Sequence, residues 1–390
     1  MIFSINKNQK KILITGLLIQ IFLLDFSSFA QQGLMLGGKF VPKDSIYVYF
    51  FLGNSVMSGR DTPADTITNS YAWKYIMTNN CYTYTKPCPP QYSWQSAVDP
   101  ICFDSKNPLN GVVKSSPGMP FLKRMVKDYP GYYFGIAQLS GSAWQLTHFI
   151  PPNSGDLKAF ITQGNILKQN CNIAGVVMMF NIVEIQYSNG DSNYASIQNY
   201  AKNIDSIITY LRKNLDIPNL PLIQTDYPVM AGDPKDLAND HYSLTGPWAD
   251  AIKALINQNK LASQKIANMA LIPTDSLTMY GADGLYTHYS KKAHSIWADR
   301  VADTIKARNW GPVKISTMAN NNKIQFTNTK YKSMISKKVF FTQKEAIKTF
   351  YSKNILIFSV DGKRAVLNNN LQKTSPKVFN NRLYLIYEKK

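Results

Sequence analysis

A serine and a histidine that lie far apart in the sequence have the neighbours expected of a nucleophile and a general base. Ser55 follows the apolar run 46–52 and stands beside Gly53, so it should begin a tight strand-to-helix turn whose N–H groups face a developing oxyanion. On its own, a serine at such a turn is more often a helix N-cap. His288 precedes the amphipathic segment 292–307, where a histidine can reach back to the end of the first strand. The pair predicts acyl transfer in which the histidine takes the serine proton.

Apolar runs and amphipathic segments alternate along the middle of the chain. Continuous apolar runs predict four buried parallel strands, at 46–52, 132–137, 174–182 and 220–224. Apolar residues at helical spacing predict three helices, at 196–215, 248–258 and 292–307. This alternation indicates an α/β fold with a doubly wound sheet, in which ligands bind at the carboxyl ends of the strands. Small or polar residues follow three of the four strands, so we expect the chemistry there.

The two ends of the chain differ from its middle. Residues 1–30 have a basic start, a short apolar run and small residues before Gln31, which predicts a signal peptide and export; a retained membrane anchor is the alternative. Residues 31–313 should form the main domain, within which the proline-rich segment 62–117 is read as an insertion that shapes the substrate cleft. Residues 314–390 are rich in Lys and Asn and predict a small β-rich module.

The net charge of +19 is concentrated in this tail, since residues 314–390 carry 16 Lys and Arg against three acidic residues. The main domain is nearly neutral, which argues against a nucleic-acid partner. No later segment is apolar and long enough for a stable membrane span. The four cysteines suit an oxidising compartment, and Cys81 and Cys88 are close enough in sequence for a local disulfide. Their spacing and the lack of nearby histidines argue against a metal site.

Four blocks of sequence carry a specific resemblance. FLGNSVMSGR, which contains Ser55, resembles the serine signature of the sialate O-acetylesterase-like branch of the SGNH (GDSL-type) hydrolases, with Asn54 in place of the usual Gln and Val56 in place of the usual Asn. The family's later blocks are matched in order by WQSAVDP (94–100), SPGMPF (116–121) and HYSKKAHSIWADRVA (288–302). The resemblance implies a flavodoxin-like three-layer αβα fold with a parallel sheet. It also implies a serine esterase that removes O-acetyl groups from a carbohydrate and needs no cofactor.

The resemblance assigns further residues to the site. LSGSAW, at 139–144, resembles the glycine block whose Gly141 supplies a second oxyanion-hole N–H beside that of Ser55. Trp144, Trp94 and Trp73 could stack on sugar rings, although buried tryptophans are commoner. Asn54 is read as a support or substrate contact.

Two parts of the site depart from the family pattern. Leu285 stands where the family usually has an aspartate, so either Asp283 or a backbone carbonyl orients His288. Where relatives have W-x-Q-G-E, this chain has FNIVE at 180–184, which leaves Asn181 or Gln186 as the amide that completes the oxyanion hole. Glu184 is retained, and an ion pair with Arg60 is its expected role.

The tail has a resemblance of its own. ILIFSVDGKRAVLNNN and the final VFNNRLYLIYEKK resemble the C-terminal sorting domains of the type IX secretion system, which implies the secretion machinery as a partner. A β-module that packs on the main domain or binds polysaccharide is the alternative.

The sequence therefore predicts a secreted, periplasmic or surface esterase acting on acetylated sialic acid or plant polysaccharide. A catalytically weakened relative that binds glycans is the rival hypothesis.

Overall fold

The computed structural model describes residues 32–61, 63–77, 90–102, 113–180, 182–229, 243–280 and 288–312, and the backbone of four strands nearer the C-terminus. The predicted signal peptide and the Cys81–Cys88 pair lie outside these residues. The chain divides into two compact units, Met1–Lys314 and Ile315–Lys390.

A seven-stranded sheet forms the centre of the first unit. A hairpin of β1 and β2, Gly33–Leu36 and Lys39–Pro42, precedes it. The sheet strands are β3 (Ile46–Asn54), β4 (Ala72–Tyr75), β5 (Trp94–Ser96), β6 (Tyr133–Gly141), β7 (Asn172–Met179), β8 (Leu222–Thr225) and β9 (Met269–Ile272). Their order is β5-β4-β6-β3-β7-β8-β9, and every pair is parallel except β4 with β5. Strand β3 is central. The chain continues from it to β4, β5 and β6 on one side and then to β7, β8 and β9 on the other, the arrangement that opens a ligand crevice at strand ends.

Eight helices connect or flank these strands in the described residues. They are α1 (Ser55–Ser58), α2 (Gly118–Asp128), α3 (Gly155–Asn170), α4 (Ile182–Ser188), α5 (Ala195–Gln198), α6 (Tyr200–Leu215), α7 (Ala249–Lys265) and α8 (Lys291–Ala307). A short antiparallel pair, β10 (Met279–Tyr280) and β11 (His288–Tyr289), precedes α8.

Neighbouring residues of β3 show why helices cover both faces of the sheet. Successive side chains of a strand point to opposite faces. Phe51 packs on Phe121 of α2 and Trp297 of α8, whereas Phe50 packs edge-on against Phe160 of α3. A strand that is apolar on both faces can be buried only between two layers of helices. The three-layer α/β fold predicted from the sequence is confirmed.

The segment 62–117 differs from the prediction of an irregular insertion, because it supplies the last two strands on one side of the sheet, β4 and the edge strand β5. Strand β4 was not predicted because it contains a charged residue. Lys74 lies in the middle of β4 and is buried, with Nζ donating hydrogen bonds to the carbonyls of Val98 and Pro100 at 3.0 and 2.6 Å. Whether the rest of this segment shapes the cleft stays a prediction.

Two further differences concern helices. The segment predicted as one helix at 196–215 is divided at Asn199, whose side-chain amide donates to the carbonyl of Ala195. Helix α3 has no counterpart in the prediction, because its buried face includes Gln163 and Gly164 among the apolar residues. A Cβ at Gly164 would lie 2.6 Å from Leu215 and 3.1 Å from the Phe50 ring, so glycine permits this close packing.

The second unit contains a four-stranded sheet. Its strands are β12 (Ile335–Phe340), β13 (Ile355–Ser359), β14 (Ala365–Val366) and β15 (Tyr384–Lys389), in the order β12-β15-β13-β14. Three of them overlap the short apolar runs 339–342, 355–360 and 383–387 in the sequence of the tail. The role of this unit in secretion stays a prediction.

Candidate active site

Ser55 begins α1 at the carboxyl end of the central strand β3. Its turn is tight, since a Cβ at Gly53 would lie 2.5 Å from Met57 and 2.8 Å from the Met179 carbonyl. Asn54 fixes the turn from within the sheet. Its Oδ1 accepts from the Val56 N–H at 3.0 Å, and its Nδ2 donates to the Phe180 carbonyl at 2.8 Å. The Asn54 side chain is buried and holds the serine turn against the end of β7.

His288 reaches the serine from the other end of the chain. Its Nε2 lies 2.9 Å from Ser55 Oγ, across a sequence separation of 233 residues. It belongs to the short strand β11, where it pairs with Tyr280. Ser290 then caps α8, with its hydroxyl accepting from the Ala293 N–H. The histidine is therefore held between a strand pair and a helix start, with little side-chain surface exposed.

Asp61 ties the serine segment to this histidine segment. Its Oδ2 accepts a hydrogen bond from the backbone N–H of Lys291 at 2.6 Å, at the first turn of α8. A carboxylate at a helix N-terminus satisfies an open N–H and complements the helix dipole. This residue was not predicted from the sequence. Its position six residues after Ser55 is a signal in the sequence, but the fold decides which helix start it meets.

Gly141 lies beside the serine turn at the end of β6, in register with Asn54 of β3. Arg60 joins the two strand ends from one side. Its buried guanidinium donates to the Gly59 carbonyl at 2.9 Å and to the Ser142 hydroxyl at 3.0 Å. The two backbone segments that are candidates for holding an oxyanion are thus joined by a side chain.

Glu184 has a different partner from the one expected. In helix α4, its carboxylate accepts from the Leu146 N–H at 2.5 Å and from the Gln145 side chain at 3.1 Å. Burial raises the pKa of Glu184, and these hydrogen bonds act in the opposite direction. Among the described residues the expected ion pair with Arg60 is not formed. Glu184 instead anchors the segment that follows Gly141.

Trp144 is half-buried and packs against Gly141. A Cβ at Gly141 would lie 2.2 to 2.6 Å from three carbons of the indole, including both carbons of its ring fusion. Its ring also stacks on His148, with centroids 4.0 Å apart and planes at 16°. Trp73 is buried and Trp94 packs on Tyr75, so these rings serve the core and the sheet edge.

Two predicted site residues, Asn181 and Asp283, lie outside the described residues, so their roles stay predictions. Gln186 is half-buried in α4. The cysteines among the described residues, Cys102 and Cys171, are buried.

Within the described ranges, no three His, Cys, Asp or Glu side chains are grouped as a metal site would need. No described helix has the length and apolarity to cross a membrane.

A serine and a histidine in hydrogen-bond contact, at the carboxyl end of a parallel sheet and beside a glycine strand end, can carry out acyl transfer. A family model described as carbohydrate esterase, sialic acid-specific acetylesterase, matches residues 45–307. The chain belongs to this family. The matched range contains Ser55, Gly141 and His288, and it ends before the basic tail. Membership of a carbohydrate acetylesterase family supports ester hydrolysis of the O-deacetylation type.

Solved structures agree with the fold. The X-ray structure of a protein from Arabidopsis thaliana is 16% identical and aligns over 67% of this chain and 98% of that one, with a TM-score of 0.50. The crystal structure of NanS is 11% identical and aligns over 69% and 98%, with a TM-score of 0.51. At such identity the likeness shows the fold alone. No curated protein that was compared matches the chain.

Proposed function

We propose that this member of the family is a carbohydrate O-acetylesterase in which Ser55 is the nucleophile and His288 the general base. The observation that carries the proposal is the 2.9 Å contact between Ser55 Oγ and His288 Nε2. A general base has to lie within hydrogen-bond reach of the proton it removes.

The first half-reaction transfers the acetyl group to the serine. Ser55 Oγ attacks the acetyl carbonyl carbon while His288 Nε2 takes the hydroxyl proton, and the carbonyl π pair moves onto oxygen. The tetrahedral intermediate then breaks its bond to the sugar oxygen, which receives the proton from the imidazolium. The products are a free sugar hydroxyl and acetyl-Ser55.

Water completes the cycle. His288 removes a proton from water as its oxygen attacks the acetyl carbonyl, and the second tetrahedral intermediate expels Ser55 Oγ, which recovers that proton. Acetate leaves. One ester and one water are consumed, and neither a metal nor an organic cofactor enters the balance.

The oxyanion is assigned to the N–H groups of Ser55 and Gly141, with the side-chain amide of Asn181 as a third donor. The register of Asn54 with Gly141 supports the first two. The bond from Asn54 to the Phe180 carbonyl supports the third, because Asn181 follows Phe180 directly. Asp283 is assigned to orient His288 and to stabilise its charged form.

The substrate is assigned as an O-acetylated sugar, either sialic acid or a plant polysaccharide. Acetate release from O-acetylated sialic acid and from acetylated xylo-oligosaccharide, measured side by side, decides between these two classes.

Serine-dependent turnover is the test of the mechanism. Purified chain is assayed with p-nitrophenyl acetate alongside Ser55→Ala and His288→Asn, and with Ser295→Ala as the matched control, an exposed serine of α8. We expect kcat to fall by about 10³-fold or more in the first two variants and to stay unchanged in the control. Undiminished turnover in Ser55→Ala would refute the proposal. Sugar binding without turnover would instead establish the glycan-binding alternative.

A further inference from the structure

The indole of Trp144 covers Gly141, the proposed oxyanion donor. Both carbons of the indole ring fusion lie within 2.5 Å of where a Gly141 Cβ would stand. These two carbons are in the interior of the bicyclic ring, so the glycine meets a face of the indole and not its rim. A glycine has no side chain with which to fix its own place. Packing of this ring on its Cα is therefore one of the contacts that set the position of its backbone.

His148 packs against the same indole. The two rings are nearly parallel, with centroids 4.0 Å apart. Asp156, at the start of α3, holds the imidazole by a contact of 2.5 Å between its Oδ2 and His148 Nε2. These two side chains are 35% and 39% exposed, so they form the solvent side of a stack that runs from Asp156 to Gly141.

The segment between Gly141 and His148 is restrained at other points as well. Ala143 has φ of 60°, a left-handed conformation that costs an L-residue of this kind about 1 kcal/mol and persists only where its surroundings hold it. Glu184 binds the backbone N–H of Leu146 and the side chain of Gln145. Strain at Ala143 favours a change of conformation in this segment, and the bonds from Glu184 oppose it. Loss of a further contact, such as the ring stack, can therefore displace the segment.

We infer that His148, oriented by Asp156, is a positioning residue that keeps Gly141 in place through Trp144. The inference rests on the proposed function, because it gives Gly141 the oxyanion role. His148 touches neither Ser55 nor His288 in this scheme, and it acts only by stacking on the indole. Stacking is the property that matters, so another aromatic ring at this position should serve as well.

The experiment compares His148→Ala with His148→Phe, which keeps a ring to stack on Trp144, and with the exposed Asp156→Ala. Deleting an oxyanion donor costs about 10²–10³ in kcat, so a displaced donor should cost less. We expect kcat for p-nitrophenyl acetate to fall about 10- to 30-fold in His148→Ala and about 3- to 10-fold in Asp156→Ala, and to stay within about twofold in His148→Phe. KM should change little in all three. The pH midpoint of kcat/KM should not move, because His288 is untouched.

Trp310→Ala is the control. It removes another half-buried tryptophan, beyond the far end of α8 and roughly 25 Å along that helix from the site. It should leave kcat unchanged. Three results would each overturn the inference: an equal fall of kcat in His148→Ala and His148→Phe, a change confined to KM, or an unchanged kcat in His148→Ala. An inactive wild-type chain, or an active Ser55→Ala variant, would instead refute the esterase proposal itself. A folding defect in His148→Ala leaves Asp156→Ala, at the surface, as the deciding variant.

Discussion

His294 makes the stability of the first unit depend on pH. It lies one turn into α8, is buried, and within the described part of the chain neither ring nitrogen has a hydrogen-bond partner. Burial lowers the pKa of His294 from 6.5 to about 3, and the nearby charge of His288 acts in the same direction. The unfolded chain takes up a proton at His294 near pH 6.5, whereas the folded chain does so only near pH 3. Stability should therefore fall as the pH drops below about 6.5.

The size of this loss follows from the pKa. One pKa unit corresponds to about 1.4 kcal/mol, so His294 should lower the free energy of unfolding by about 2 kcal/mol at pH 5 and by about 3 kcal/mol at pH 4. His294→Leu removes the titrating group and fills a similar volume. Replacing an unpartnered buried polar group by an apolar one of similar shape is close to neutral or stabilising. We therefore expect the variant to match or exceed the wild type at pH 8 and to exceed it by about 2 kcal/mol more at pH 5.

Urea unfolding of both proteins from pH 8 to pH 5, followed by tryptophan fluorescence, measures this difference. All six tryptophans lie in the first unit, so the signal reports on it alone. The difference at pH 8, where the histidine is neutral in both states, reports the packing change. Only the further change on acidification reports the proton. A variant that loses stability between pH 8 and pH 5 as steeply as the wild type would refute the reasoning.

Three other substitutions follow from single contacts. Asp61→Ala should lower kcat about tenfold with KM unchanged, because the start of α8 loses an acceptor beside His288; steady-state assays should show partial recovery in Asp61→Asn. Gly59→Ala should lower Tm by several degrees in a thermal melt, because φ is 78° and a Cβ would lie 1.8 Å from the Ser115 carbonyl; an unchanged Tm would contradict this. Arg124→Ala should lower the free energy of unfolding by about 1 kcal/mol at low salt and by less at high salt, because three partly exposed carboxylates lose their shared cation. Urea unfolding measures this change, and a decrease that does not depend on salt would point to packing instead.

The helices and strands that were predicted from the sequence are those whose residues follow a single hydrophobic pattern from end to end. Strands β3, β6, β7 and β8 are buried on both faces and read as continuous apolar runs. Helix α8 keeps its apolar residues on one face, and its start was predicted to within one residue.

Two of the elements that were not predicted, strand β4 and helix α3, break the hydrophobic pattern at one or two positions. Strand β4 contains Lys74, whose burial lowers its pKa to about 8 and whose ammonium donates to the carbonyls of Val98 and Pro100 in the segment after β5. Helix α3 buries a glutamine and a glycine where a pattern search expects apolar residues. Such exceptions are satisfied by residues distant in the sequence, and the local pattern does not contain them.

At the site, the sequence predicted the Ser55–His288 pair, which the structure brings into hydrogen-bond contact, but not the residues that hold the pair in place. Ser55 and His288 lie in blocks with recognisable neighbours. The partner of Glu184 was predicted wrongly, because an ion pair was assumed from charge alone, whereas the carboxylate binds a backbone N–H and an amide. Asp61 was overlooked because a helix-capping role depends on which helix start is brought near, and that is decided by the topology.

The edges of the central sheet also bear on how the molecule behaves in solution. The outermost strands are short, since β5 has three residues and β9 has four. Strand β5 is also antiparallel to its neighbour β4. An edge strand of that length exposes few backbone donors and acceptors in a row, and a second molecule would gain little by adding a strand there. The long apolar strands that would be most prone to pair between molecules, β3 and β6, are kept in the interior of the sheet. The fold therefore protects its most aggregation-prone sequences by strand order.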